Sequence, residues 1–347
     1  MMKFYTLQIQ HINRQTDKAV ELIFKVPENL KSEFNYLPGQ YLTLQTSIEG
    51  EDVRRSYSIS SSPDEALSVV VKAIDQGVFS NYVNTQLKPG DSLGVHAPEG
   101  NFTLPEQIED KQFIAFAAGS GITPIMSMIK SVLKQSSRSK FVLVYGNKSP
   151  KSSIYLQELL TFQQSYPERF FIESIYSETK EDNAQFGRIE TPTINYVIKN
   201  KYANFNFNQV YLCGPEPMIN NAIKVLKEQE IPEENINFEL FFSAEDAEAS
   251  QNHDGQTQVK VILDDEEFEF SMPKDQKILD AILEQDIDAP YSCQGGICSS
   301  CVAKITEGKA EMIKNQILTD EDTAEGLILT CQGLPLSENL TIDYDDV

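Results

Sequence analysis

The feature that most constrains this chain is a run of cysteines near its C-terminal end, Cys293-Gln-Gly-Gly-Ile-Cys298-Ser-Ser-Cys301, followed thirty positions later by Cys331. Spaced C-x4-C-x2-C…C, four thiolates from one wrapped loop and one distant strand end can hold a plant-type [2Fe–2S] cluster. Gly295 and Gly296 suit that task, because without a Cβ the backbone N–H groups can approach the sulfurs. A structural zinc site is the competing reading. It ordinarily shows two short cysteine pairs, and this chain has one. With five cysteines in 347 residues, three of them crowded together, a disulfide framework is not expected, whereas a metal site in a reducing cytoplasm is. The fifth cysteine, Cys213, lies far from the cluster in sequence and is not expected to be a ligand.

A formal charge of −23 argues against nucleic acid and anionic membranes, which need clustered Lys and Arg to neutralise phosphates. The charge is uneven: residues 243–347 carry 6 basic and 24 acidic side chains, a net −18. Such a segment suits a basic protein partner. No run approaches the 18 apolar residues of a membrane span, and Met1 to Gln10 alternates like a strand rather than carrying a signal peptide's apolar core. No membrane insertion is expected.

The periodicity changes twice along the chain. Residues 1–105 read as short strands of period two, among them Tyr5–Ile9, Ala19–Val26 and Leu67–Ile74, punctuated by Pro38-Gly39 and Pro89-Gly90. That pattern predicts a small antiparallel β-barrel. Residues 106–242 alternate apolar strands, such as Phe113–Ala117 and Phe141–Tyr145, with helical spacing at Ile125, Ile129, Val132 and Leu133. This predicts an α/β, Rossmann-like layer. Residues 243–256 are acidic and small, a linker. Residues 257–347 open with a strand pair and a helix carrying Ile278, Leu279, Ile282 and Leu283, then reach the cysteine loop.

Each of the first two segments carries a candidate ligand site. On one strand, Arg55-Ser56-Tyr57-Ser58 supplies a cation for phosphate, a ring to lie against a flat cofactor, and hydroxyls. Farther on, Gly77, Val78 and Ser80 open a short helix whose N–H groups, with the Ser80 hydroxyl, offer a second phosphate site. Two phosphate sites imply a dinucleotide flavin, FAD. In the α/β segment, Gly119-Ser-Gly121-Ile-Thr123-Pro124 falls between a strand and a helix, the context of a pyrophosphate cradle. It departs from G-x-G-x-x-G, and Pro124 suits a first helical turn. Cys213-Gly214-Pro215 ends a later strand, where ligands of open α/β sheets bind. A buried bystander thiol is the plainer account of Cys213. Tyr145 to Ser153 includes Asn147 and Lys148 and no acid. An acid there would accept a ribose 2′-OH and a base would welcome a 2′-phosphate, so NADPH is favoured, NADH possible, unless Lys148 and Lys151 are only solvated charges.

These residues, in this order, resemble the ferredoxin–NADP reductase superfamily, and the whole chain resembles its oxygenase-reductase branch with a C-terminal ferredoxin domain. Within that branch, R-S-Y-S-I-S-S, A-A-G-S-G-I-T-P-I, Y-L-C-G-P-E-P-M and the cysteine loop are most similar to the reductase subunits of phenylacetyl-CoA epoxidases, which serve phenylacetate catabolism. The resemblance implies a multidomain fold: an antiparallel β-barrel for FAD, an α/β domain for NAD(P), and an α+β, β-grasp [2Fe–2S] domain. It implies FAD contacts at Arg55, Tyr57, Ser58, Gly77, Val78 and Ser80, and NAD(P) contacts at Gly119, Gly121, Thr123 and Pro124. Cys213 is implied beside the nicotinamide, with Tyr57 and Ser58 the other residues nearest the chemistry. Phe241 is the candidate to cover the flavin ring, against ordinary core packing. The implied activity is electron transfer from NAD(P)H through FAD and the cluster to an oxygenase that docks at the acidic domain. A phenylacetyl-CoA epoxidase is the first expectation, with a Rieske, steroid or aromatic-ring hydroxylase as the alternative and a redox-sensing carrier that no longer turns over as the rival from another class.

Overall fold

The computed structural model describes residues 3–241, 255–296 and 298–347. Phe4–Phe241 forms one compact unit and the described residues beyond it form another. The first unit begins with β1 (Phe4–Thr16), β2 (Ala19–Lys25), β3 (Tyr41–Ile48), β4 (Glu51–Ser58), β5 (Ser68–Lys72), helix α1 (Val78–Thr85) and β6 (Ser92–His96). The strands pair antiparallel in the order β4-β3-β6-β1-β2-β5. The two outer strands then meet, Ile59 bridging Val69 while the Ser60 N–H donates to the Ser68 carbonyl at 2.9 Å. That contact closes the sheet as the predicted barrel and removes its open edges. Alternation does the sorting: Leu7 and Ile9 are fully buried while Thr6, Gln8 and Gln10 face water.

The α/β layer follows as β7 (Gln112–Ala118), α2 (Ile122–Gln135), β8 (Lys140–Asn147), α3 (Leu156–Ser165), β9 (Phe170–Tyr176), β10 (Gln185–Phe186), α4 (Thr191–Asn195), β11 (Gln209–Gly214), α5 (Glu216–Glu228) and β12 (Ile236–Leu240). Its sheet is parallel, in the order β10-β9-β8-β7-β11-β12. Phe113–Ala117 and Phe141–Val144 are fully buried, as strands covered by helices on both faces must be. The chain leaves β7 on one side for β8 and returns on the other as β11. The switch point, where open α/β sheets hold ligands, is therefore the gap between the carboxyl ends of β7 and β11.

Barrel and sheet share a packed border. Phe102 and Leu104 lie in the α/β core, and the buried Tyr155 hydroxyl bonds Glu21 Oε1 and Ser60 Oγ of the barrel, both at 2.8 Å. From Phe4 to Phe241 the barrel and α/β segments thus form a single unit with two cores.

The second unit comprises β13 (Gln256–Leu263), β14 (Glu266–Pro273), α6 (Ile278–Leu283), β15 (Val302–Glu307), β16 (Ala310–Met312), α7 (Asp320–Ala324), β17 (Leu327–Leu329), β18 (Gly333–Pro335) and β19 (Asn339–Asp343). A mixed sheet runs β14-β13-β19-β15-β17, with β13 and β19 parallel and the other pairs antiparallel. The helix α6 buries Ile278, Leu279, Ala281 and Ile282 in a separate core. This is the expected α+β arrangement. The expected linker, 243–256, lies outside the described residues except for Gly255 and Gln256, and Gln256 already opens β13.

Candidate redox sites

The loop from Cys293 to Cys301 joins α6 to β15, and Cys331 lies just past β17. Cys298, Cys301 and Cys331 are buried and Cys293 is partly exposed. Their thiols meet in sequence: Cys293 lies within hydrogen-bonding reach of Cys298 and of Cys331, and Cys331 of Cys301. Four thiols gathered in one linked row, Cys298–Cys293–Cys331–Cys301, suit a binuclear cluster, in which each iron takes two. The hydrogen bond to Cys293, and then burial, push the Cys298 thiol well above its ordinary pKa. Crowded thiols resist ionising until a metal takes their charge.

The surrounding backbone is shaped for this. The Gly295 N–H donates to Cys293 Sγ at 3.3 Å, the contact expected of a glycine beside a sulfur ligand. Gly296 has φ +72°, and a Cβ there would lie 2.7 Å from the Lys314 carbonyl, so no other residue fits. Thr330 ties the segment that carries Cys331 to the loop, its N–H and hydroxyl donating to the Cys301 carbonyl at 3.1 and 3.0 Å. The buried Tyr344 hydroxyl donates to Thr330 at 2.9 Å.

At the switch point of the first unit, the two glycine turns interlock. Cys213 pairs with Ala117 across β11 and β7. Gly119 (φ +55°) to Gly121 forms a single 3-10 turn before α2, with the Thr123 hydroxyl bonded to the Ser120 carbonyl at 3.0 Å and Pro124 in the first helical turn. A Cβ on Gly121 would overlap the carbonyl of Cys213. A Cβ on Gly214 would lie 2.8 Å from Met218 Cε and 3.0 Å from Ala118 Cβ, and Pro215 caps α5. Tyr145 shares its hydroxyl between the Gly119 and Ile154 carbonyls, at 3.1 and 3.2 Å, fixing the turn from β8.

Cys213 is fully buried, and burial followed by the charge of Glu239 pushes its thiol well above the ordinary range. It is therefore no nucleophile. Its neighbour across β11 and β12 is Glu239, which keeps some accessible surface although its carboxyl is enclosed. Desolvation raises that carboxyl to about 8, against the hydrogen bond it accepts from Ser58 Oγ at 3.2 Å. Ser58 comes from the barrel and Cys213 and Glu239 from the sheet, so Cys213 and Ser58, expected together with Tyr57, are joined by Glu239, to which the sequence analysis gave no role.

On the barrel side, Tyr57 stacks on Phe79 with ring centroids 5.8 Å apart, and Arg55 Nη1 donates to the Arg54 carbonyl at 2.7 Å. Ser56 Oγ lies 3.3 Å from Thr43 Oγ1. Gly77 caps α1, where a Cβ would come within 2.5 Å of the Ile74 and Ser80 side chains, and Val78 is exposed at the first turn. The Ser80 hydroxyl is buried and accepts the Ile74 N–H at 3.3 Å. It staples its own loop, leaving the N–H groups of the helix start as the donors a phosphate would meet.

A second unforeseen residue is Lys72 at the end of β5. Its half-buried ammonium stands 3.5 Å from where a Gly119 Cβ would be, and burial, then the charges of Lys148 and Lys18, lower its pKa. A lysine closing the apolar run Ser68-Val-Val-Val is the only local signal for it. Asn147 and Lys148 lie at the carboxyl end of β8, beside β7, as expected. Phe241 is half-buried against the α/β core.

The oxidoreductase FAD-binding domain family matches residues 7–104, the oxidoreductase NAD-binding domain family residues 116–224, and the 2Fe-2S iron-sulfur cluster binding domain family residues 261–336. The chain is 36% identical to a subunit of the 1,2-phenylacetyl-CoA epoxidase of Escherichia coli (strain K12), covering 99% of each protein. It is 34% identical to the ferredoxin reductase component of 3-ketosteroid-9-alpha-monooxygenase from Rhodococcus rhodochrous, over 97% of this chain and 96% of the relative. In fold it is similar to phthalate dioxygenase reductase, with TM-score 0.67, 21% identity and 98% of both chains covered.

Proposed function

Because the chain belongs to the family of oxygenase reductase components that join FAD-binding, NAD-binding and [2Fe–2S] domains, we propose that it feeds electrons to a phenylacetyl-CoA epoxidase-type oxygenase. The observation that carries this reading is 36% identity to the epoxidase component along essentially its whole length, together with a flavin barrel, a nucleotide turn and a four-thiol loop in one chain. A steroid oxygenase is the second reading, favoured by the 34% relative.

When bound, FAD supplies the conversion of a two-electron hydride into single electrons for the cluster. This chain's residues arrange the exchange. Arg55 and the start of α1 hold the flavin phosphates, and Tyr57 lines the ring. The Gly119–Gly121 turn and Lys72 hold the nucleotide pyrophosphate. Cys213, at the carboxyl end of β11 beside the Gly119–Gly121 turn, would act as a positioning residue for the nicotinamide. Glu239, largely protonated at neutral pH given its pKa of about 8, shares a hydrogen bond with Ser58 and keeps a full charge out of the enclosed junction.

The acidic second unit is the docking face we propose for a basic oxygenase surface, in the cytoplasm. Transient redox encounters bury little area and rely on charge steering, so inter-protein reduction should slow as salt rises while internal flavin reduction changes little. Among the described residues no helix is long and apolar enough to cross a membrane. Reconstitution tests the whole reading: the purified protein should carry one FAD, two irons and two labile sulfides and support epoxidation of phenylacetyl-CoA by the oxygenase components. A colourless zinc protein, or a holoprotein that cannot reduce those components, would refute it.

A further inference from the structure

The order of the parallel sheet brings an acid to the nucleotide edge from a separate part of the sequence. Beyond β8 and β9 the two backbones stay paired, the Ser177 N–H donating to the Asn147 carbonyl at 3.0 Å and the Glu178 N–H to the Lys148 carbonyl at 2.9 Å. This register holds the Glu178 carboxylate 3.4 Å from Lys148 Nζ. Both side chains are mostly exposed, at 61% and 75%, so the pair adds little to folding and is free to meet a ligand.

Its place is informative. β8 lies directly beside β7, the strand that ends in the Gly119 turn, and in open α/β sheets the carboxyl end of that neighbouring strand reads the adenosine ribose. The electrostatics connect the two places, since Lys72 stands over the Gly119 turn and feels the charge of Lys148. A cationic strip thus runs from the pyrophosphate turn toward the ribose edge and ends in one carboxylate.

We propose that Glu178 is the residue that sets nucleotide choice, accepting a hydrogen bond from the ribose 2′-hydroxyl and turning away a 2′-phosphate. This rests on the reductase reading above and reverses the preference for NADPH drawn from Tyr145–Ser153, whose own sequence holds no acid. Two effects act together. The carboxylate offers lone pairs to a hydroxyl, and it opposes a phosphate both directly and by occupying the charge of Lys148, which otherwise welcomes it.

The test is calorimetric and needs no turnover. The holoprotein is titrated with adenosine 5′-monophosphate and with adenosine 2′,5′-bisphosphate, which differ only at the 2′ position. The native protein should bind the monophosphate at least as tightly as the bisphosphate. Glu178→Gln, the same shape without charge at an exposed position, should shift the ratio of the two dissociation constants by about tenfold toward the bisphosphate, and Lys148→Ala should shift it the other way. The Glu178→Gln shift should shrink as salt rises. A ratio moved by less than about twofold in Glu178→Gln, or a native protein that strongly prefers the bisphosphate, overturns the assignment while leaving the reductase reading intact. A holoprotein that binds neither ligand overturns the nucleotide site itself.

Discussion

Gly121→Ala sets two physical effects against each other, and the structure says which one wins. Gly121 has φ −60° and ψ −7°, ordinary right-handed values, so on backbone grounds alone alanine should stabilise the protein by about 0.4–1 kcal/mol through the unfolded state. The new Cβ, however, would overlap the Cys213 carbonyl oxygen and stand 2.5 Å from its carbon and 3.0 Å from Gly214 N. These are backbone atoms of a buried strand end, which no side-chain rotation can relieve. Either the turn or the end of β11 must move by about 1 Å, and overpacking of that kind costs about 1–3 kcal/mol. The net is a loss of about 1–2 kcal/mol, a fall in Tm of roughly 2–8 °C for a unit of this size. Because Cys213 and Gly214 move with the clash, kcat/KM for the nucleotide should fall about tenfold or more. Release of FAD fluorescence on heating reads the first unit alone, and the visible spectrum of the cluster serves as an internal control. An unchanged or raised Tm with unaltered nucleotide kinetics would refute the interlocked geometry.

Three further outcomes follow from the same sites. Cys213→Ala should lower kcat about tenfold with KM nearly unchanged, since the thiol orients the reacting ring rather than tightening binding, and unchanged turnover in steady-state assays would return it to plain packing. Cys298→Ser should keep NAD(P)H-driven ferricyanide reduction at the flavin and lose nearly all transfer to the oxygenase, with equal retention of both placing the cluster off the path. With its pKa raised to about 8, Glu239 is neutral below that pH and charged above it. A carboxylate there stabilises the positive charge that grows on a nicotinamide giving up hydride, so stopped-flow flavin reduction should quicken through pH 8. Glu239→Gln should hold the low-pH rate throughout, and an inflection that survived the substitution would place its source elsewhere.

What was legible in the sequence was local. Barrel, parallel sheet and α+β unit could each be read because period-two alternation, continuous apolar strands and helical spacing are properties of ten or so neighbouring residues. The same holds for the cysteine loop, whose ligands lie close together apart from Cys331, and for the turns at Gly119–Gly121 and Cys213–Pro215. The fusion of barrel and sheet into one unit was not legible. It depends on Tyr155 reaching Glu21 and Ser60, three polar residues that no periodicity marks as partners. The tie of the Ser80 hydroxyl to its own loop was hidden for a related reason: nothing local in the sequence shows that the Ile74 N–H folds back to donate to its oxygen.

The residues missed at the sites share one property, distance in sequence from the motif they meet, and for two of them it follows from how a parallel sheet is built. Consecutive parallel strands are joined by crossovers of a dozen residues or more, so side chains that end on the same edge are always distant in sequence. Glu239 meets Cys213 through the register of β12 on β11, and Glu178 meets Lys148 because the chain beyond β9 stays paired with that beyond β8. Lys72 reaches the Gly119 turn from the barrel. In each case the motif visible in sequence supplies the backbone of the site: a turn, a helix start, a strand end. The charge that tunes it comes from a neighbouring strand. Motif and charge therefore carry different information. On the proposed reading the glycine turns supply the backbone that would hold a dinucleotide's phosphates, whereas the choice between a hydroxyl and a phosphate, or between a neutral and a charged junction, would be set by residues whose partners only strand order reveals. A loop without an acid in its own sequence is thus weak ground for inferring a phosphate-bearing nucleotide, since the adjacent strand can supply the carboxylate.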